Sequence, residues 1–166
     1  MSDTIKYENR ERLYKSLLEE FSFEVKEEKY LPDYFGNFST VLGYKEGNRN
    51  VLSLLKTIFS TSVDFLIRYS YDRSQLAVEI ASKYDVGDKW YSLYFVQDLI
   101  YNPDSINVFE RERNNELRLE ELNHFLRKDF DKISNLFSKR NYPNTRRLLD
   151  EGLKKTFYLK FPSAKK

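Results

Sequence analysis

The sequence predicts an α+β fold with an N-terminal helix, an antiparallel sheet of four to five strands, and three helices that then cover one face of the sheet. In the first half of the chain, apolar and polar residues alternate in short runs separated by turn-forming residues, which is typical of half-buried strands. In the second half, apolar residues recur every three or four positions, which is typical of helices with one buried face. Strands joined by short turns pair antiparallel. Because the helices are separated from the strands along the chain, they are expected to pack together on one face of the sheet.

The size and composition fit one folded domain spanning residues 1–166. Hydrophobic residues make up 40% of the 166 positions and aromatic residues 16%, whereas disordered chains are poor in both. The last residues, about 160–166, are expected to fray. The N-terminus lacks the apolar core of a signal peptide, and no apolar run reaches the length of a membrane span. We therefore expect a cytoplasmic protein without a membrane partner.

The first predicted elements are a helix and two strands. Residues 4–20 place Leu13 and Leu17 on one helical face. The period then changes to two, so that Phe23 and Val25 point to one side of a strand. The sequence YLPDYFGN breaks this pattern, and FSTVLGY predicts the next strand. A turn in KEGNRN leads to residues 50–59, whose apolar run fits a strand or a short helix.

The segment RYSYDRSQLAVEI predicts a β-hairpin whose register follows from two independent sets of pairs. Alignment across DRSQ places apolar residues opposite each other on one face and an arginine opposite a glutamate on the other. The expected pairs are Tyr71 with Leu76, Tyr69 with Val78, Ile67 with Ile80, and Arg68 with Glu79. Asp72 and Arg73 are predicted as turn residues, and a functional role for Arg73 at the tip stays open.

The rest of the chain predicts three helices. The first spans KWYSLYFVQDLIY with Asp88 as its cap, and whether Trp90 lies in the core or lines a groove stays open. A long helix follows from Glu116 to Lys139, and NYPNT ends it. The last helix runs from about Thr145 to Leu159. Its cap is Asn144 or Thr145, and its expected inward residues are Leu149, Leu153 and Phe157.

The residue types that carry most enzymatic chemistry are scarce. The chain has no cysteine, and His124 is its only histidine. A nucleophilic triad, a thiol nucleophile and a zinc site therefore lack the side chains that they need. The five glycines form no Gly-x-Gly or Walker motif for phosphate binding. We expect a protein that is not an enzyme and uses no metal and no cofactor.

Charge is distributed unevenly along the chain, although the formal net charge is only +2. From Lys139 to Lys166 there are nine basic and two acidic residues, whereas the preceding part has 19 basic and 24 acidic residues. The segment Glu19–Asp33 alone holds six carboxylates and two lysines. Such asymmetry bears on the choice of partner. The alternative interpretation is an ordinary solvated surface.

Six motifs distributed over most of the chain resemble those of a known protein family. They are YFGN, VLGYK, DRSQLAVEIAS, KWYSL, LNHFLRKDFDKISNLFS and NYPNTRRLL. In this order they resemble a family of small bacterial proteins with a Phe-Gly-Asn turn, an Asp-Arg hairpin, a Trp-Tyr element and C-terminal helices. The chain differs from that pattern by an extra segment at about 48–62 and by Ser74 in place of a glycine. Such proteins are similar in kind to the immunity proteins of bacterial toxin systems, which neutralise a toxin by binding it.

The resemblance implies a protein-binding module, and the charge distribution suggests that its partner is a basic toxin domain. An acidic surface attracts a basic partner and accelerates the encounter. The expected partner-binding residues are Glu19, Glu20, Glu24, Glu27, Glu28 and Asp33, with Tyr30 and Tyr34 as aromatic anchors.

The alternative function is a nucleic-acid-associated regulator that uses the basic C-terminal helix. Basic side chains would contact phosphates, and Tyr142 and Tyr158 would stack on bases. The basic residues concerned are Arg146, Arg147, Lys154 and Lys155. Basic residues near a helix C-terminus also stabilise the helix dipole, which requires no ligand.

Overall fold

The computed structural model describes residues 5–33, 36–45, 63–85, 89–104 and 114–165. A 3-10 helix at Tyr7–Leu13 comes first, and a second one at Pro162–Lys165 comes last. The strands are β1 (Phe23–Leu31), β2 (Asn37–Tyr44), β3 (Phe65–Asp72), β4 (Gln75–Ser82) and β5 (Tyr91–Ser92). The α-helices in these ranges are α1 (Lys15–Glu20), α2 (Leu93–Tyr101), α3 (Asn115–Lys128), α4 (Phe130–Phe137) and α5 (Tyr142–Lys160).

The five strands form one antiparallel sheet in the order β1-β2-β3-β4-β5, which confirms the predicted α+β class. Each strand pairs with the next one along the chain, so β1 lies at one edge of the sheet. We call the inner face the one that carries the buried side chains Phe38, Leu42, Ile67, Tyr69, Val78 and Ile80. The opposite, outer face carries half-buried residues of β3 such as Leu66, Arg68 and Ser70.

The inner face packs against the helices through aromatic side chains. Phe65 of β3 contacts two rings of α4, with centroid distances of 5.7 Å to Phe130 and 6.0 Å to Phe137. Tyr14 lies 5.6 Å from Tyr69, and both are fully buried. Because aromatic rings bury large apolar areas, these contacts provide much of the driving force that holds the helices on the sheet.

The hydroxyl of Tyr69 connects three elements. It donates to Asn123 Oδ1 on α3 at 2.7 Å, and Asn123 Nδ2 donates to the backbone oxygen of Leu13 at 3.0 Å. Complete burial raises the pKa of Tyr69 far above that of a free tyrosine, so the hydroxyl stays a neutral donor. This chain of hydrogen bonds fixes α3 and the N-terminal 3-10 helix relative to the sheet.

The β3–β4 hairpin has the predicted register at every expected pair, including Arg68 opposite Glu79. Its turn differs by one position, because Asp72 pairs with Gln75 and the two turn residues are Arg73 and Ser74. Both have positive φ, 48° and 65°, as a tight two-residue hairpin with right-handed strand twist requires. Asn115 supports the turn by donating to the Ser74 backbone oxygen at 3.0 Å.

The N-terminal segment is helical, but it does not form the single regular α-helix that the sequence predicts. The structure has a 3-10 helix, a non-helical residue at Tyr14, and only then the short α1. Leu13 and Tyr14 are adjacent and both fully buried. Since neighbours on a regular α-helix point about 100° apart, the break allows both side chains to enter the core. The following strand is correct, but only Phe23 is buried and Val25 is exposed.

The segment around Trp90 also differs from the prediction. Tyr91 and Ser92 pair with Ile80 and Glu79 of β4 as strand β5, and helix α2 begins only at Leu93. The predicted cap Asp88 and residues 50–59 lie outside the described residues. Trp90 is half-buried beside Arg68, whose guanidinium lies 4.3 Å above the indole ring. The indole therefore contacts the outer face of the sheet and is not part of the inner core.

The predicted long helix is divided in two at Asp129, so the described residues after β4 contain four α-helices where three were expected. The carboxylate of Asp129 is buried, and it accepts hydrogen bonds from Lys132 Nζ at 2.7 Å and from the Tyr101 hydroxyl of α2. Burial alone would raise the pKa of Asp129, but these hydrogen bonds outweigh it and leave the pKa below its usual value.

The last helix begins earlier than expected, at Tyr142, with Asn141 as its N-cap residue and a proline in its first turn. Proline is well tolerated there because the first backbone N–H groups have no partner within the helix. Leu149 is buried and Leu153 is half-buried, as predicted, whereas Phe157 points outward. The predicted frayed end contains the short 3-10 helix at Pro162–Lys165.

We predict that Ser74→Gly stabilises the protein by about 0.5–1 kcal/mol, because glycine adopts a positive φ without the steric cost that serine bears. Urea unfolding followed by circular dichroism measures the change. The matched control is Ser70→Gly in the middle of β3, which should lower the free energy of unfolding by a similar amount. A destabilised Ser74→Gly variant would contradict the assigned turn.

We further predict that Asp129→Asn lowers the free energy of unfolding by about 2 kcal/mol at neutral pH, because a buried charge-assisted network is broken. The folded-state pKa of Asp129 is depressed, so its contribution is complete above the unfolded pKa of about 4 and is lost as the pH falls below it. Urea unfolding at neutral and acidic pH should therefore show a flatter acid limb in the variant. Asp131→Asn, at an exposed position of α4, is the control. Equal acid limbs in the wild type and Asp129→Asn would refute the assignment.

Candidate functional site

The predicted partner-binding residues lie on α1, on β1 and in the turn that follows. Glu19 and Glu20 end α1, and Asp33 is exposed after the end of β1. Four predicted residues belong to β1 itself, namely Glu24, Glu27, Glu28 and Tyr30. Tyr34 lies outside the described residues. The candidate site is therefore centred on the edge strand of the sheet.

The carboxylates of β1 point to opposite faces of the sheet. A bulge at Lys26 shifts the register, after which Glu27 pairs with Val41 and Glu28 with Thr40. Thr40 is buried on the inner face, so Glu28 points inward and Glu27 outward. Glu24 pairs with Gly43 before the bulge and also points outward. The sequence predicts that these three residues share one surface, and the structure separates them.

Gly43 makes room for the bulged residue. A Cβ atom at this position would lie 2.9 Å from Lys26 Cε and 2.9 Å from Leu66 Cδ2. Such distances are shorter than normal van der Waals contact. The alkyl part of Lys26 therefore crosses the outer face directly above the glycine.

Glu28 and Tyr30 hold the N-terminal 3-10 helix against the sheet. Arg10 forms a bidentate contact with Glu28, with 2.7 Å from Nε to Oε1 and 3.0 Å from Nη2 to Oε2. The ring of Tyr7 stacks on that of Tyr30 at 4.1 Å, and the Arg10 guanidinium lies 3.8 Å from the Tyr7 ring centre. The hydrogen bond from Arg10 lowers the pKa of Glu28. Both residues thus have a structural role that sequence reasoning missed.

The remaining carboxylates have weaker, exposed partners. Glu24 lies 2.6 Å from Lys26, which lowers its pKa through a hydrogen bond, and Glu27 lies 2.9 Å from Lys29. On α1, the nearest cations are Lys15 at 3.7 Å from Glu19 and Arg127 at 3.5 Å from Glu20. Exposed ion pairs of this kind contribute little to stability. A cationic side chain of a partner can therefore replace the lysines at low cost.

Exposed apolar side chains lie on both faces of β1. Leu31 pairs with Asn37 and points outward with the carboxylates, whereas Val25 pairs with Leu42 and Tyr30 with Phe38, so both of these point inward. Val25 and Leu31 of β1 are 41% and 53% exposed, and Tyr30 and Tyr44 are also among the exposed large hydrophobic residues. We call Glu24, Val25, Glu27 and Leu31 the edge surface. The sequence contains a signal for it, because the run from Val25 to Leu31 has charged residues where a buried strand would have apolar ones.

The predicted nucleic-acid residues are only partly available. The hydroxyl of Tyr142 is buried and donates to Asp85 at 2.6 Å, so this ring does not reach a base. Arg146 lies 3.3 Å from Asp85, and Arg147 lies 2.7 Å from Glu151. Lys154 and Lys155 are exposed, and neither forms a salt bridge within the described ranges. The structure therefore shifts the alternative site toward the end of α5.

Asp85 and Asp150 form a polar network between the sheet and α5. Asp150 accepts from Lys89 Nζ at 2.5 Å and from the Tyr91 hydroxyl at 2.8 Å. Burial and the hydrogen bond to Asp150 raise the pKa of Tyr91, which therefore remains a neutral donor. This network attaches α5 to β5, and Arg146, although exposed, contacts acids of its own chain.

His124 is exposed on α3 beside a cavity of about 310 Å³ between α2 and α3. The other lining residues are Gln97, Tyr101, Glu120, Glu121, Phe125 and Lys128. Glu121 accepts from the Tyr94 hydroxyl at 3.1 Å. Among the described residues, no group of three His, Asp or Glu side chains is arranged to hold a metal ion.

We predict that Glu28→Ala lowers the free energy of unfolding by about 1 kcal/mol, because it leaves Arg10 without its bidentate partner. The same truncation at Glu27 should change it by less than about 0.5 kcal/mol, since only an exposed ion pair is lost. Urea unfolding measures both, and hydrogen exchange should accelerate over residues 7–14 in Glu28→Ala alone. Equal effects of the two substitutions would show that Glu28 does not hold the N-terminal segment.

The comparisons with protein-family models, curated proteins and solved structures find no match to this chain. Within the ranges that the structure describes, no helix is both long and apolar enough to cross a membrane.

Proposed function

We propose that this chain is a non-enzymatic, cytoplasmic protein-binding module of the immunity type, which neutralises a bacterial toxin by direct binding. The partner is a basic toxin domain, and it docks on the edge surface. The observation that carries the proposal is the exposure of β1, in which all seven residues from Val25 to Leu31 are exposed at the border of the sheet.

The edge position suggests how a partner would bind. An edge strand presents one row of backbone N–H and C=O groups that lack a neighbouring strand, and an extended segment of a partner can pair with them. No described strand lies beyond β1. Val25 and Leu31 would supply apolar contacts, while backbone hydrogen bonds would supply much of the affinity.

The charges of β1 favour a basic partner. Glu24 and Glu27 lie on the outer face, and among the described residues their salt-bridge partners are the exposed Lys26 and Lys29. Lysine or arginine side chains of a toxin would take over these contacts and become partly desolvated, which strengthens the attraction. The part of the chain before Lys139 has 24 acidic and 19 basic residues, so its overall field also attracts a cationic protein.

The same features also restrict unwanted association. Charged side chains and a bulge are common devices that prevent edge strands from pairing with each other. Strand β1 has three glutamates and two lysines, so two copies would bring together strands of the same net charge. A partner with complementary charge avoids this repulsion, so the edge is selective for such a partner.

The decisive experiment uses a double charge reversal, Glu24→Lys with Glu27→Lys. We expect a tagged wild-type chain to retain a stoichiometric basic partner from its native host after nuclease treatment, and the double variant to lose it. The captured protein is then expressed in a test bacterium. Expression should stop growth, and co-expression of the wild type should restore it, whereas co-expression of the double variant should not.

The matched control is Glu151→Lys on α5. Glu27 and Glu151 are each in one ion pair, and their side chains are 54% and 50% exposed, but Glu151 belongs to α5 and not to the edge surface. The control should retain the partner and the protection. A partner that is retained by the double variant would remove the edge surface from the proposal, and a captured protein without toxicity would remove the immunity function.

A further inference from the structure

Two aromatic rings and two lysines are exposed together at the end of α5. Phe157 and Phe161 are 51% and 46% exposed, and their ring centres are 5.1 Å apart. Lys154 and Lys155 lie just before them and are exposed. We propose that these four residues, here called the aromatic–lysine surface, bind single-stranded nucleic acid. The proposal does not depend on the immunity function, because the edge surface contains none of these residues.

The rings are suited to stacking on bases. About half of each side chain is exposed, so each ring presents an accessible area of its own. Exposed aromatic side chains at such a site are a common means of binding unpaired bases, since every base has a flat apolar face. A stable fold gains little from leaving two phenylalanines this exposed. Their exposure therefore points to a ligand that covers them.

The lysines are suited to contacts with phosphates. Lys154 precedes Phe157 by three residues, which places the two on the same side of a helix. Neither Lys154 nor Lys155 forms a salt bridge in the part of the chain that the structure describes. The acidic residues of α5 are already in contact with other groups, because Asp150 binds Lys89 and Glu151 binds Arg147. The positive charge at this end is thus uncompensated by the helix itself.

The charge balance of the segment favours a polyanion. From Lys139 to Lys166 there are nine basic and two acidic residues. Duplex nucleic acid keeps its bases stacked inside, so the two rings would contribute little to binding it. An anionic membrane would also attract the lysines, but interfacial helices bury a continuous apolar face, and here Lys154 and Lys155 lie beside the rings. Single-stranded nucleic acid can contact the rings with its bases and the lysines with its phosphates.

The test is a titration of fluorescently labelled oligothymidine with the full chain, followed by anisotropy at several salt concentrations. We expect saturable binding that weakens with salt. Phe157→Ala with Phe161→Ala should reduce the affinity at least about tenfold, because two stacking contacts are lost. Lys154→Gln with Lys155→Gln should reduce the slope of log K against log salt by about 1.4, since each phosphate contact on a single strand contributes about 0.7.

Two control variants test whether the effects are specific. Leu117→Ala removes an apolar side chain of α3 that is as exposed as Phe157, and Lys29→Gln removes an exposed lysine of β1. Both should bind like the wild type, and circular dichroism should show that all variants are folded. The proposal is overturned by absence of binding at low salt, by equal affinity for the phenylalanine variant, or by equal affinity for a duplex of the same length. Binding to anionic phosphatidylserine vesicles but not to the oligonucleotide would also overturn it.

Discussion

The arrangement of the whole structure depends on the hydroxyl of Tyr69 in the centre of the sheet. A buried hydroxyl needs a hydrogen-bond partner, and Asn123 Oδ1 of α3 accepts a hydrogen bond from it at 2.7 Å. The amide group of the same asparagine donates to the Leu13 backbone oxygen. One polar contact in the core therefore sets where α3 lies on the sheet and where the N-terminal segment crosses it. Apolar packing alone would permit sliding between these layers, and the directional bonds do not.

The position of the N-terminal segment in turn determines which part of β1 remains accessible. Once Tyr7 and Arg10 lie beside the strand, they bind Tyr30 and Glu28, and the inward carboxylate becomes part of the fold. The outward carboxylates stay on the surface with lysine neighbours. The glutamates of one acidic segment are thus divided into a structural set and an accessible set. The division arises from the two-residue repeat of a strand and from one bulge.

What the sequence predicts well is what local pattern determines. The register of the β3–β4 hairpin follows from apolar pairs on one face and the pair of Arg68 and Glu79 on the other, and each set supports the same alignment. Local pattern shows neither the break at Asp129 nor the hydrogen bond between its carboxylate and Tyr101, which lies 28 residues away on another helix. Glu28 is predicted as a binding residue because its partner Arg10, 18 residues distant, leaves no local signal either. Distant partners leave no periodic signal, so side chains that serve the fold cannot be separated by pattern from those that serve a ligand.

The contact between Trp90 and Arg68 has a consequence for spectroscopy. Trp90 is the single tryptophan of the chain, and its indole lies beneath a guanidinium that is itself bound to Glu79 at 2.7 Å. Its fluorescence therefore reports on the outer face of the sheet, while the buried tyrosines absorb in the inner layer. The indole and the buried tyrosine rings therefore lie on opposite faces of one sheet. Coincidence or divergence of their signals during unfolding reveals whether the two sides of the sheet come apart together.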